Sequence, residues 1–259
     1  MRIELDIKKT PEQNAGVYFD RAKKARKKLE GAKTALAESR KKLEKLLAKQ
    51  AQDVEEKQQK KVLQLQKKWY EKFRWFISSE GFLVIGGRDA TSNEIVVKKH
   101  TDQTDIIFHT QMAGSPFFVI KTEGKKPGKE TLEETAIATA SFSRAWKSGL
   151  SIMEVFYVNP DQVSKTTKSG EYMNKGSFMI DGKTNEITAQ LMLEIGLTDD
   201  GKVMCAAKSA VQKNCKKHLT IIQGKEKTSD TAKKIRNKIG GELDDIIASL
   251  PSGGCKIKN

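Results

Sequence analysis

The chain has 259 residues, with 48 Lys and Arg against 33 Asp and Glu, and so carries a formal net charge of +15. Hydrophobic residues make up 37% and charged residues 31%, which is too polar for one compact core using the whole chain and too apolar for general disorder. No run reaches the ~18 consecutive apolar residues of a membrane span, and the opening MRIELDIKK lacks the apolar stretch of a secretory signal. A soluble, intracellular, cytoplasmic protein is expected, and its basic excess points to a polyanionic partner: RNA, DNA or an anionic membrane face.

The charge is unevenly placed. Residues 1–68 hold 20 basic and 10 acidic side chains, residues 69–180 hold 14 and 13, and residues 181–259 hold 14 and 10. The basic first quarter predicts a long helix or helical hairpin: Thr10 can cap, Pro11 suits the first helical position and Gln13 can close a capping box. Leu29, Leu36 and Leu43 recur at heptad spacing, with Ala22, Ala25, Ala32 and Leu46 alongside, so the seam is that of a narrow coiled coil. Gln50 and Asp53 interrupt it, which places a turn or stutter near 50–60 and a second helix leading to Trp69. The basic surface of this arm is Lys23, Lys24, Arg26, Lys27, Lys28, Arg40, Lys41 and Lys42. It is either a solvated coiled-coil face or a contact for a polyanion, and nucleic acid is preferred over lipid because the seam is too narrow for a membrane-surface helix.

Composition changes at Trp69. Phe82–Ile85, Ile95–Val97, Ile106–Phe108 and Phe117–Ile120 read as strands, with Gly86-Gly87 as a turn or bulge. Thr131 and Glu134 suggest a capping box for a helix running to Gly149, followed by strands at Met153–Val158 and Gly176–Ile180. Beyond Thr184 come strands at 191–197 and 202–206, a helix at 210–216, a strand at 219–222 and helices at 232–239 and 243–250. The fold class is therefore α+β: a basic coiled-coil arm (1–68), a mixed β-sheet domain with a packed helix (69–183) and a small α/β C-terminal appendage (184–259).

The run Trp69-Tyr70-Glu71-Lys72-Phe73-Arg74-Trp75-Phe76, then Gly86-Gly87-Arg88-Asp89-Ala90 with Asn93-Glu94, Asp105-Ile106 with His109 and Gly114, Gln162-Val163-Ser164-Lys165, Gly170-Glu171-Tyr172 and Lys175-Gly176-Ser177-Phe178 together resemble the RNA-binding NFACT-R domain of the NFACT family. Residues 14–35 resemble the coiled-coil region of such proteins in an archaeal style. The resemblance implies ribosome-associated quality control: binding of rRNA and tRNA on an obstructed large ribosomal subunit, in support of untemplated C-terminal tailing. Full-length family members begin with an NFACT N-terminal domain and a helix-hairpin-helix unit, which do not fit into the ten residues before the arm. The expectation is a fragment or a stand-alone form, with a separate N-terminal half or a partner helix as a further partner. Many relatives follow the histidine with Ala-Asp, whereas Thr110, Gln111, Met112 and Ala113 follow His109 here, so no role of that carboxylate carries over.

Candidate RNA-binding residues on the domain are Arg88, Asp89, Asn93, Lys98, Lys99, His109, Lys121, Arg144, Lys165, Lys168 and Lys175. Arg88-Asp89 after a Gly-Gly turn can meet a phosphate or hold the turn as an internal pair. Asn93 can read a base edge or shape its loop, and Lys98, Lys99 and Lys121 can contact phosphates or solvate strand ends. Lys165, Lys168 and Lys175 form a basic loop, and Arg144 shares a helix face with Lys147. Trp69, Trp75 and Phe76 read as core that seats a helix on the sheet, though an exposed face would stack unpaired bases. His109 lies near Asp105, but no second carboxylate pair at metal spacing accompanies them. Cys205, Cys215, His218 and Cys255 lack the C-x2-C pair of a zinc site, so no metal, cofactor or catalytic residue is assigned and buried cysteines are expected. The first reading is a non-enzymatic RNA-binding module. Its rivals are a coiled-coil interaction scaffold with incidental RNA contact and a metal-dependent nuclease.

Overall fold

The structure, a computed structural model, describes residues 3–65, 68–165 and 174–258, and for residues 48–65 the backbone only. The chain divides into two compact units, Met1–Lys67 and Lys68–Asn259.

In the first unit the expected cap forms. The Gln13 amide donates to Thr10 Oγ1 at 3.3 Å and the Thr10 amide donates to Gln13 Oε1 at 3.1 Å, so two otherwise orphaned N–H groups are satisfied reciprocally. Asn14 is buried and exchanges hydrogen bonds with the Asp6 backbone, at 2.9 Å and 3.0 Å, which folds the preceding segment onto the first turn. Helix α1 then runs as Pro11–Leu65 without a break. Of the two expectations, the long helix forms and the hairpin does not, because no turn interrupts residues 50–60. Gln50 and Asp53 disturb the register of an apolar seam, but the stretch contains no Gly or Pro and is rich in good helix formers, so the backbone hydrogen bonds continue. Leu29, Leu36, Leu43 and Leu46 are each exposed by 55–56%. Among the described residues, this chain supplies no partner for the seam.

The second unit opens with a 3-10 turn, Trp69–Lys72, and continues through β1 (Arg74–Ile77), β2 (Leu83–Gly86), α2 (Ala90–Lys99), β3 (Ile106–Thr110), β4 (Phe118–Lys121), α3 (Lys129–Ser141), α4 (Arg144–Lys147) and β5 (Ile152–Val158). Next come β6 (Val163–Ser164), β7 (Met179–Ile180), β8 (Asn185–Gln190), β9 (Leu193–Thr198), β10 (Val203–Ala206), α5 (Lys208–Asn214), β11 (Cys215–Gln223), α6 (Thr228–Ile239), α7 (Leu243–Ser249) and β12 (Cys255–Ile257). The main sheet has the order β1-β2-β4-β3-β5-β8 and a second has β10-β9-β11-β12. The mixed sheet of the sequence reading is antiparallel at each pairing. β8 comes from beyond the 183/184 boundary yet forms an edge of the main sheet, and one buried cluster runs from Phe76, Phe108 and Phe118 to Leu193, Ile221 and Ile235.

Side chains of β4 and of Phe117, which precedes it, alternate between two cores. Phe118 and Ile120 join the cluster under α3, whereas Phe117 and Val119 join Ile85, Ile107 and Val96 under α2. Both faces are dry, which is why the strand reads as an unbroken apolar run. Ala136, Ala138 and Ala140 are fully buried, so α3 lies close against the sheet.

Three local expectations change. Ile95, Val96 and Val97 belong to helix α2 rather than a strand, because Asp89 Oδ1 accepts the Ser92 amide at 2.8 Å and Ser92 Oγ accepts the Asp89 amide at 2.8 Å. That cap outweighs the β-preference of a short branched run. Thr131 and Glu134 do not cap α3, whose N-cap is Gly128; the Glu134 carboxylate is buried and accepts from the Ser79 amide at 2.9 Å and from Ser209 Oγ at 2.6 Å. The helix expected to reach Gly149 breaks after Ser141, and Ser143 caps the separate turn of α4.

Lys121 also departs from its assignment as a phosphate contact. Its ammonium donates to both Asp105 and Asp102, the latter at 2.6 Å, and to the His100 carbonyl at 3.0 Å. Asp105 is 1% exposed and accepts the Thr122 amide at 2.9 Å as well. This network ties the segment after α2 to the end of β4, and losing its cation would leave a buried carboxylate without its counter-ion. Lys121→Met is expected to lower unfolding free energy by about 3 kcal/mol, read from urea denaturation. Lys129→Met, at an exposed i,i+4 pair with Glu133, is the control and should shift it by no more than about 0.5 kcal/mol.

Candidate nucleic-acid interface

A cavity of about 410 Å3 lies where the start of α2, the β3–β4 loop and the segment before β7 converge, with Arg74 and Phe142 among its lining residues. Its shape depends on close backbone approach. A Cβ on Gly87 would fall 1.9 Å from Asn93 Oδ1, and one on Gly176, at φ +79, would fall 2.6 Å from the Ala90 Cα. Only glycine at 176 combines that left-handed backbone with contact against the first residue of α2. The Gly176 amide also donates to Glu94 Oε2 at 3.3 Å.

The cavity's charge comes from Arg74, Arg88 and Lys175, against the single carboxylate of Asp89. The Arg74 guanidinium stacks 4.1 Å from the Phe142 ring centroid and donates from Nη1 to the Leu250 carbonyl at 3.4 Å, while its buried Nε has no hydrogen-bond partner. Burial, reinforced by neighbouring Arg88, brings its pKa down to about 10. It stays charged at neutral pH and is under-satisfied. Arg88 is exposed and donates from Nη2 to the Phe73 carbonyl at 3.0 Å. Two adjacent guanidinium groups, one short of a partner, suit an anion with several acceptor oxygens.

Asp89 faces the cavity as the cap of α2, and its bonds to Ser92 hold its carboxyl below the usual range. Asn93 is buried: its Oδ1 accepts the Phe117 amide at 3.1 Å and its Nδ2 donates to the Ser115 carbonyl at 3.4 Å. Of its two sequence readings, the structure shows loop shaping. His109 stacks on Phe117 at 4.0 Å and 23° and donates from Nε2 to the Ser115 carbonyl at 3.2 Å. Burial brings its pKa down to about 4, so at neutral pH the ring is uncharged and serves as an aromatic wall.

The fold thus gathers Arg88, Asp89, Asn93, His109 and Lys175 around one cavity. Arg144 borders it, with Nη2 3.3 Å from where a Gly114 Cβ would stand. Lys165 lies over Phe178 at 5.1 Å and pairs with Glu94 at 3.4 Å. Lys98 is paired with Glu94 at 2.7 Å, and Lys99 sits with it in the last turn of α2, away from the helix start that faces the cavity. Lys168 lies outside the described residues. Arg74, Phe117 and Phe178 also line the cavity, though they are absent from the sequence candidates; an arginine between aromatics in a strand was the available signal for Arg74. The eight candidate basic residues of α1, Lys23, Lys24, Arg26, Lys27, Lys28, Arg40, Lys41 and Lys42, are all exposed.

Cys205, Cys215 and Cys255 are free and buried, and burial pushes each thiol up, Cys215 to about 11. Among the described residues no cluster of three or more His, Cys, Asp or Glu has a metal-binding arrangement, and no helix is long and apolar enough to cross a membrane.

The His109 shift has a stability consequence. Its folded pKa of about 4 lies below the ordinary 6.5, so the unfolded state binds the extra proton between those values. Stability should be full above pH 6.5 and decline as pH falls toward 4. His109→Gln keeps a donor for the Ser115 carbonyl without titrating there. Its thermal-melt profile should be flatter over this window than the parent's, and parallel profiles would contradict the assignment.

Residues 72–182 match the family described as NFACT protein RNA binding domain. The archaeal Rqc2 homolog of Methanocaldococcus jannaschii is 41% identical over 207 residues, covering 77% of this chain and 31% of that protein. The ribosome quality control complex subunit NEMF of Homo sapiens is 40% identical over 177 residues, 66% of this chain and 16% of its own length. Ribosome quality control complex subunit 2 of Schizosaccharomyces pombe is 30% identical over 197 residues, 74% and 19% respectively. The chain spans less than a third of the length of each of these relatives. Its sheet with the cation-lined cavity is an NFACT-R RNA-binding domain, and through that domain the chain belongs to the NFACT family.

Proposed function

We propose that this chain is a non-enzymatic, cytoplasmic RNA-binding module of ribosome-associated quality control, which contacts rRNA and tRNA on obstructed large ribosomal subunits and supports C-terminal tailing of stalled nascent chains. The observation that carries this reading is the convergence of Arg74, Arg88 and Lys175 on one cavity of an NFACT-R domain. Residues 1–68 add 20 basic against 10 acidic side chains, and the exposed lysines and arginines of α1 suit sequence-independent attraction to a phosphate backbone. A labour division follows: α1 supplies bulk affinity and the cavity supplies orientation. Lys98, Lys99, Arg144, Lys165 and Lys168 belong to the same proposed RNA-facing set, whereas Asp89, Asn93, His109 and Lys121 act by holding its framework.

The exposed Leu29, Leu36 and Leu43 seam favours a second reading, an interaction scaffold in which α1 recruits a partner helix or a separate NFACT N-terminal half. Salt titration separates the two. For the RNA reading, affinity for rRNA, tRNA and large subunits should fall steeply with salt, at a slope of roughly 0.7 per contacted phosphate for single strands. Replacing the eight basic residues Lys23, Lys24, Arg26, Lys27, Lys28, Arg40, Lys41 and Lys42 by Gln should weaken binding by about tenfold or more at low salt and flatten that slope. Arg88→Ala should lower the slope by about one phosphate contact. Parent binding no better than that of a neutral coiled coil would favour the scaffold. Incubation of RNA with and without a chelator tests the nuclease alternative, and intact RNA is expected in both.

A further inference from the structure

Trp69 does not sit in the core. It is 47% exposed, and among the described residues from 68 onward every other aromatic side chain is buried or half-buried. Its ring is nevertheless held. It stacks on His100 with centroids 4.6 Å apart and planes 20° from parallel, and Tyr70 meets its edge at 5.7 Å and 83°. His100 in turn stands edge-on to Phe73 at 5.3 Å, and Phe73 is 2% exposed. The three rings form a ladder from core to surface that fixes the outermost one. An indole with a set orientation presents a flat π-face with little rotamer freedom left to lose on binding.

The surroundings of this ring are cationic. Desolvation first, then Lys72, Lys121 and Lys99, lower the His100 pKa. Lys121 is taken up by Asp102 and Asp105, Lys68 faces Asp200 at 3.6 Å, and Glu71 is paired with Lys202 at 3.2 Å. Lys72 lies 4.9 Å over the Phe73 ring. Neither Lys72 nor Lys99 has an ion pair among the described residues. Lys121 is shared between two carboxylates, so the three paired lysines leave one negative charge over, and Lys72 and Lys99 together still make the group cationic by one.

We propose that Trp69, backed by His100 and flanked by Lys72 and Lys99, is a stacking platform for an unpaired nucleobase of single-stranded RNA. Aromatic faces accept any base, and lysines beside them follow the sugar-phosphate chain, so the contact is sequence-tolerant. This inference rests on the RNA-binding reading but uses a surface apart from the residues lining the cavity.

The test uses the full chain and a short unstructured oligoadenylate, with tryptophan fluorescence and a direct binding isotherm read together. Trp146 is buried and Trp75 half-buried, so quenching on RNA addition should come from Trp69. Trp69→Ala should abolish the quench and weaken binding by roughly 10-fold to 100-fold, while Trp69→Phe should keep most of the affinity. An oligonucleotide of the same length with abasic positions retains the phosphate charge, and should bind the parent and Trp69→Ala alike. If Trp69→Ala binds oligoadenylate as tightly as the parent, or if the abasic strand separates the two as strongly, the platform is refuted and the RNA reading stands. If the parent binds none of these strands or ribosomal RNA at low salt, the RNA reading itself fails and the platform with it. Lys99→Gln, on an exposed side chain, gives a second arm: it should weaken both strands equally, and no change for either strand would count against the cationic flank.

Discussion

The second unit depends on a sheet whose central strands are apolar on both faces. Phe117 and Val119 point to one core and Phe118 and Ile120 to the other, so neither face can be left to water. α2 covers the first and α3 with the second sheet covers the other. This requirement positions the candidate interface, because the helix that closes one face starts at Asp89, beside the cavity, and ends at Lys99, beside the Trp69 and His100 stack. Packing of the core therefore places both surfaces.

Charge is handled differently in the two units. Along α1, cations are exposed and act by number, with an effect that salt screens. In the folded unit they act by position. Lys121 is withdrawn into an ion-pair network, Lys98 and Lys165 both bear on Glu94, and Arg74 is held against Phe142 with its Nε unpaired. A nearly balanced segment can thus still present a local cationic recess, because its carboxylates are engaged in capping and bridging. Asp89 and Glu94 are examples: the first closes a helix, the second ties that helix to Gly176.

Much of this order was legible from residue patterns. Apolar runs marked β2, β3, β4 and β5 to within a residue or two, the Thr10 and Gln13 box marked the start of α1, and the ordered motifs from Trp69 to Phe178 marked the family. Patterns failed where two local preferences competed. Ile95-Val96-Val97 favours a strand by propensity, yet the Asp89 and Ser92 cap and the burial of Val96 make it helical. Thr131 and Glu134 have the spacing of a cap, yet tertiary contacts with Ser79 and Ser209 take the Glu134 carboxylate elsewhere. Trp69 reads as core by type and is exposed, and Arg74, which was not among the sequence candidates, is held between Phe142 and the Leu250 carbonyl.

Sequence alone determined the α+β class, the basic helix and the NFACT-R family, because these rest on composition, periodicity and motif order, which are properties of the chain taken locally. Only the tertiary structure decided which cations remain available to a ligand. That depends on partners distant in the chain, such as Asp105 for Lys121 and Phe142 for Arg74, and pairing across such distances is set by how the sheet folds rather than by spacing. The charge of +15 pointed to a polyanion; 20 basic against 10 acidic side chains in residues 1–68 show where most of that excess lies, and the fold shows which cations of the second unit are held by partners.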